Sequence, residues 1–112
     1  MLSFKIDKPD QTLHLIEDLK AALPFEVLLT KHMRVTLRKE HPQLKLAARQ
    51  TVEEVHYMGD EGGITCHLTG EPDAEAGVLV SITGVEIPPT SPLKKQVAAY
   101  QKHRVKKLRK RI

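Results

Sequence analysis

The chain is poor in aromatic side chains and in cysteine, and this restricts the sites that it can build. Among its 112 residues there is no tryptophan, and there are only two phenylalanines and two tyrosines. Aromatic side chains are the platforms on which single-stranded bases stack, so such platforms are nearly absent. The single cysteine excludes an internal disulfide and a four-thiolate zinc site, and it suits a reducing compartment.

Long apolar runs and known catalytic motifs are also lacking. Residues 1–7 have no apolar run of the signal-peptide kind, and no stretch approaches the roughly 20 apolar residues of a membrane helix. We therefore expect a cytoplasmic protein without a membrane partner. The sequence has no Gly-x-Ser-x-Gly, His-Glu-x-x-His, phosphate-binding glycine loop or dinucleotide fingerprint. It predicts no catalytic residue and no cofactor, and it favours a binding protein over an enzyme.

Positive charge is concentrated at the carboxyl end of the chain. The sequence holds 18 Lys and Arg against 14 Asp and Glu, a formal net charge of +4. Nine of the cations and none of the acids lie within residues 94–111, whereas residues 1–93 carry a formal charge of −5. This asymmetry predicts an acidic partner for the basic end, or docking of that end on an acidic surface.

Residues 51–69 predict a β-hairpin. Its centre, Gly59–Gly63, has the glycine and acidic residues of a tight turn, and β-branched and aromatic residues flank it. A loop with an even number of residues would pair Tyr57 with Cys66. That register places the apolar side chains of both strands on one face and polar ones on the other, as in a sheet covered on one side.

Two histidines of this hairpin suggest a metal site. In the predicted register His56 and His67 are cross-strand neighbours with Cβ atoms about 5 Å apart, and Glu54 lies one pair along. Two histidines and a carboxylate form a ligand set for zinc or iron. An exposed histidine pair without metal is the simpler alternative, and we predict no metal site. Cys66 lies on the opposite face from His67 and is predicted to be a small core residue.

The periodicity of the first forty residues predicts two helices. Apolar residues at helical spacing follow Asp10, a plausible N-cap, and this first helix should end near Ala22. Pro24 suits the first position of a second helix, in which the apolar residues again follow the helical period. The alternative for that segment is strand over residues 27–29 and 35–37.

The third strand is predicted over residues 78–83, beside the second strand of the hairpin, after an acidic loop bounded by proline and glycine. Gly84 inside this pattern suggests a β-bulge, with residues 85–87 continuing the strand.

Ser91 and Pro92 then predict the start of a helix over residues 93–112. Its apolar residues fall within about 160° of arc and most of its basic residues lie opposite, so the helix is amphipathic.

These elements predict one α+β domain over residues 1–112, in the order (β)ααβββα. We expect a three- or four-stranded antiparallel sheet with helices packed on one face, and a short first strand over residues 2–6. The order of elements is similar to that of RelE-type bacterial toxins, which cleave mRNA. This likeness concerns architecture alone, and it carries no residue over to this chain.

The basic helix is the candidate binding surface, and RNA or another polyanion is the expected partner. The predicted phosphate-contacting residues are Lys95, Lys102, Arg104, Lys106, Lys107, Arg109, Lys110 and Arg111 on the last helix, with Lys31, Arg34 and Arg38 on the second. Because no base-reading motif is present, we expect little sequence preference. The alternatives are a protein–protein interaction or homo-oligomerising domain, with the basic residues at its rim, and, less favoured, a small ribonuclease-type enzyme.

Overall fold

Five antiparallel strands form one curled sheet, and three longer helices and one short one accompany it in the part of the chain that is described. The computed structural model describes residues 6–42, 47–68 and 78–110. In chain order the elements are α1 (Pro9–Ala22), β1 (Phe25–Leu29), α2 (Lys31–Glu40), β2 (Arg49–Tyr57), α3 (Gly59–Gly62), β3 (Ile64–Leu68), β4 (Val78–Ser81), a 3₁₀ turn (Ile82–Gly84), β5 (Val85–Glu86) and α4 (Lys94–Lys110). The strand predicted over residues 2–6 lies outside the described ranges, except for Ile6.

The strands are arranged in the order β4-β3-β2-β1-β5, and each neighbouring pair is antiparallel. The α+β class and the antiparallel sheet are confirmed. The predicted number of three or four strands is wrong, because β1 falls within a predicted helix and β5 within the predicted continuation of the third strand. Both are short; β1 pairs with β2 of the hairpin on one side and with β5, the edge strand, on the other.

The second predicted helix is in fact a strand followed by a helix. Val27 and Leu29 are buried and alternate with more exposed neighbours, as expected of β1. Thr30 then caps α2, because its hydroxyl accepts a hydrogen bond from the Met33 amide at 3.1 Å. The strand alternative is thus confirmed for residues 27–29 and wrong for residues 35–37. The end of α1 at Ala22 agrees with the prediction.

The β2–β3 hairpin keeps its predicted faces but not its predicted register. Tyr57 lies opposite Ile64, and Cys66 lies opposite Val55, two residues from the predicted pairing. A shift of two residues returns every side chain to the same face, so apolar and polar faces remain segregated. The turn is the short helix α3, and Gly59 and Gly63 at its two ends adopt positive φ angles of 80° and 70°.

The chain crosses from one edge of the sheet to the other after β4. Where a bulge was predicted at Gly84, a 3₁₀ turn ends β4, and β5 pairs with β1, with Leu28 opposite Glu86. Gly84 lies under Met33 so closely that a Cβ atom would collide with the methionine side chain. A larger residue here would force the Met33 side chain to move.

The core lies on one face of the sheet. Buried side chains of α1, α2 and α4, such as Leu19, Leu37 and Val97, join the inward-facing strand residues in one cluster. On the other face, Glu54 and Leu79 are exposed. Cys66 is fully buried in the core, as predicted. No helix in the described ranges has both the length and the apolar character needed to cross a bilayer.

Candidate nucleic-acid interface

Helix α4 is held against the sheet by one side along most of its length. Val97 and Tyr100 are buried in the core. The Gln101 side-chain amide donates hydrogen bonds to the carbonyl oxygens of Ile82 at 2.7 Å and Val85 at 2.6 Å. At the start of the helix the Ser91 hydroxyl accepts from the Leu93 amide at 3.2 Å, close to the predicted boundary. These contacts fix which side of α4 faces outward.

Four cations form a row on the outward side of α4, which we call the α4 stripe: Lys95, Lys102, Lys106 and Arg109. All four are exposed. At about 100° per residue they fall within about 60° of arc, nearly opposite the buried side, and they span about 21 Å of helix at about 1.5 Å per residue. None of them forms an ion pair with a carboxylate within the described ranges. As far as the described residues are concerned, the α4 stripe is therefore open to an external anion.

Arg104, a predicted phosphate contact, does not belong to this surface. Its side chain is 3% exposed, and Nη1 lies 3.0 Å from Oδ1 of Asp7. The guanidinium also donates to the carbonyl oxygens of Asp60, at 2.8 Å, and Glu61. Gly63 provides the room, because a Cβ atom there would lie 2.6 Å from Cζ of Arg104. Arg104 therefore anchors the helix and is not available to an external phosphate.

A signal for this burial was present in the sequence. At about 100° per residue, Arg104 lies within about 20° of Val97 on the apolar side of the helix. A single arginine on an apolar helix face requires a buried counter-charge. That partner, Asp7, lies 97 residues earlier in the chain, so no local pattern could identify it.

Asp7 also binds two tyrosine hydroxyls, and together these four residues (Asp7, Tyr57, Tyr100 and Arg104) form what we call the Asp7 cluster. Oδ2 of Asp7 accepts hydrogen bonds from Tyr57 at 2.8 Å and from Tyr100 at 2.9 Å. Burial, with a contribution from Asp7, raises the pKa of Tyr57 and raises the pKa of Tyr100 to about 12. Both hydroxyls therefore stay protonated and serve as donors at neutral pH.

The remaining predicted contacts are distributed over two helices. Lys31 and Arg38 are exposed on α2, and Arg34 is half-buried, with an Nε atom that finds no hydrogen-bond acceptor among the described residues. Both α2 and α4 reach the same 3₁₀ turn, since Met33 packs on Gly84 and Gln101 bonds to the turn from α4. Three other predicted contacts lie near the end of the sequence. Lys107 is exposed on a different side of α4, the side chain of Lys110 is not described, and Arg111 lies outside the described ranges.

The predicted histidine pair is not formed. Because the hairpin register differs by two residues, His56 lies opposite Thr65 and His67 lies opposite Glu54. Nε2 of His56 is 3.1 Å from a carboxylate oxygen of Glu54 on the same strand. Within the described ranges, no group of three or more His, Cys, Asp or Glu side chains is arranged to hold a metal ion.

A groove of about 590 Å³ runs between α1 and α4. Leu15, Ala99 and Tyr100 are among the residues that line it, together with His14 and His103. Nε2 of His103 lies 3.0 Å from the Ile6 carbonyl oxygen, so this histidine also helps to fix the amino-terminal segment against α4. The groove occupies a flank of α4 next to the stripe, so binding at the two surfaces can be separated by substitution.

The described residues thus present a row of open cations on a helix that is anchored by a buried ion pair. Basic side chains in such a row are the usual contacts to nucleic-acid phosphates. The chain has no match among the protein-family models, the curated proteins or the solved structures with which it was compared.

Proposed function

We propose that this protein binds RNA, or another polymer of closely spaced phosphates, through the α4 stripe. The observation that supports this function is the row of four exposed cations that spans about 21 Å of helix with no ion-pair partner among the described residues. Each lysine or arginine that meets a phosphate releases condensed counterions, and this release drives non-specific binding. The opposite charge of the body, −5 over residues 1–93, directs polyanions to the helix.

The binding is expected to have little sequence preference. A helix that reads base edges needs side chains that enter a groove and make bidentate hydrogen bonds, and the stripe is made of three lysines and one arginine that suit phosphate oxygens. Backbone binding of this kind has dissociation constants of about 10⁻⁴ to 10⁻⁶ M at physiological salt. We therefore expect a protein that associates with many RNAs at micromolar concentrations.

Fluorescence anisotropy with an end-labelled RNA of mixed sequence tests the proposal. Four phosphate contacts give a log–log dependence on salt of about −2.8 to −3.6, so raising KCl from about 50 to about 200 mM should weaken binding about 50- to 150-fold. Failure to bind at about 50 mM would end the proposal. Binding that does not change with salt would show that phosphate contacts do not supply the affinity.

A matched pair of variants separates the α4 stripe from overall charge. Lys102→Gln/Lys106→Gln removes two stripe cations, and Lys20→Gln/Lys39→Gln removes two exposed cations from other helices. The first variant should lower the magnitude of the salt slope by about 1.4 to 1.8, whereas the second should leave it nearly unchanged. Equal effects of the two variants would assign the binding to net charge and not to the stripe.

The two alternative functions, an interaction domain and a ribonuclease, predict different results with the same protein and RNA samples. Sedimentation velocity of the full chain would reveal an oligomer, and loss of that oligomer in Lys102→Gln/Lys106→Gln would favour an interaction domain. Deletion of residues 102–112 is less informative, because it also removes Arg104 from the Asp7 cluster. Shortened RNA on a denaturing gel would favour a ribonuclease.

A further inference from the structure

We infer that the preferred ligand of the α4 stripe is double-helical nucleic acid, and that single strands bind it more weakly. This inference rests on the proposed function and names its substrate class. It is drawn from two features of the described structure: the positions of the aromatic side chains and the rigid spacing of the stripe.

The three described Phe and Tyr side chains pack against the core: Tyr100 is buried, and Tyr57 and Phe25 are partly buried. The hydroxyls of Tyr57 and Tyr100 donate to Asp7, and Phe25 packs against the core cluster. The fourth aromatic residue, Phe4, lies outside the described ranges. Proteins that prefer single strands combine a basic groove with aromatic side chains on which bases stack. The described surface of α4 therefore offers positive charge to a single strand, but no aromatic platform for its bases.

The positions of the stripe residues along the helix axis are fixed before any ligand binds. Lys102, Lys106 and Arg109 follow one another at about 6 Å and about 4.5 Å along the axis of a continuous helix. The opposite side of that helix is held by Val97 and Arg104 in the core. A straight row of charges suits a backbone with regularly spaced phosphates. A flexible single strand must lose conformational freedom to match the same row.

Charge density favours the duplex further. Double-stranded DNA carries one charge per about 1.7 Å of axis, and each neutralised phosphate contributes a slope of about −0.9, against about −0.7 on single strands. For four contacts the two slopes are about −3.6 and about −2.8. If the affinities converge near 1 M salt, this difference makes the duplex about sixfold tighter near 0.1 M.

The ligand chemistry is a regular phosphate backbone, which both RNA and DNA duplexes supply. Three end-labelled probes distinguish the cases: an RNA duplex of about 20 base pairs, a DNA duplex of the same sequence, and an oligouridylate with the same number of phosphates. Anisotropy titrations of the full chain from about 50 to about 200 mM KCl give affinities and salt slopes for each. We expect at least one duplex to bind about sixfold more tightly than oligouridylate near 100 mM, with the steeper slope.

The outcomes separate this inference from the proposed function. Tighter binding of the RNA duplex than of the DNA duplex would indicate that the stripe recognises A-form geometry. Equal binding of the two duplexes would indicate that phosphate spacing alone is recognised. Both outcomes support the inference. Oligouridylate that binds as tightly as the duplexes, with binding weakened in Lys102→Gln/Lys106→Gln, would overturn the substrate class and leave the function standing. No binding of any probe at about 50 mM would overturn both. Circular dichroism of Lys102→Gln/Lys106→Gln serves to check that this variant is folded.

Discussion

The guanidinium of Arg104 and the carboxylate of Asp7 form an ion pair that joins the two ends of the chain in the interior of the protein. Nη1 and Oδ1 lie 3.0 Å apart, and the side chains are 3% and 0% exposed. A pair this deep loses the hydration of both charges, so its two members depend on each other and on their hydrogen bonds. It also helps to hold one side of α4 against the sheet, and the proposed function depends on that orientation.

Removing the carboxylate should destabilise the protein strongly. Asp7→Asn leaves the Arg104 guanidinium buried without a counter-charge, so we expect the free energy of unfolding to fall by about 3 to 5 kcal/mol. Urea denaturation followed by circular dichroism measures the change. The double variant Asp7→Asn/Arg104→Met removes both charges and should be more stable than Asp7→Asn alone. Additive losses in the double variant would show that the two residues are not coupled.

Substituting Gly63 should cost more stability than substituting Gly59, although both have positive φ angles. A positive φ angle costs an alanine about 1 to 3 kcal/mol at either position. At Gly63 the added Cβ would also lie 2.6 Å from Cζ of Arg104, whereas at Gly59 no atom lies within 4 Å. Chemical denaturation should therefore give a larger loss for Gly63→Ala than for Gly59→Ala. Equal losses would contradict the close packing of Arg104 against this glycine.

Stability should fall as the pH rises above about 10. Burial, with a contribution from Asp7, raises the pKa of Tyr100 from 10.0 to about 12, and it raises the pKa of Tyr57 in the same direction. Between these values the unfolded chain has lost protons that the folded chain retains, so rising pH favours unfolding. The stabilising contribution is complete below about pH 10 and is lost progressively towards pH 12. Urea midpoints measured between about pH 8 and 11 should decline, and Tyr100→Phe should show a shallower decline.

The thiol of Cys66 should be unreactive in the folded protein. It is fully buried, and burial raises its pKa to about 12. Because the thiolate is the reactive species, alkylation by iodoacetamide at neutral pH should be slow in buffer and fast in denaturant. Mass spectrometry of timed samples measures both rates. Similar rates in the two conditions would show that the core around β3 opens readily.

The hairpin faces could be predicted from the sequence because side chains alternate along a strand. That alternation survives a shift of two residues, so it gave the apolar face correctly but left Tyr57 paired with the wrong residue. The register is set by α3, whose closing bond from the Gly63 amide to the Gly59 carbonyl measures 2.7 Å. A glycine-rich sequence does not indicate which turn it forms, and the predicted histidine pair was wrong for the same reason.

Contacts between distant parts of the chain could not be predicted. Leu29 of β1 is a strand residue because Val85 pairs with it, far along the sequence, whereas local periodicity favoured a helix. The charge asymmetry did locate α4 and its outward cations, because an amphipathic pattern is a local property. The same pattern could not show that Arg104 is neutralised by Asp7.

The most direct test of the proposed function is the salt dependence of RNA-duplex binding when the whole α4 stripe is neutral. In the variant Lys95→Gln/Lys102→Gln/Lys106→Gln/Arg109→Gln, the four contacts are lost and the buried Arg104 is unchanged. We predict a wild-type log–log slope of about −3.6 and, in a variant that circular dichroism shows to be folded, no measurable binding at about 50 mM salt. A folded variant that binds the duplex with the wild-type affinity and slope would contradict the account.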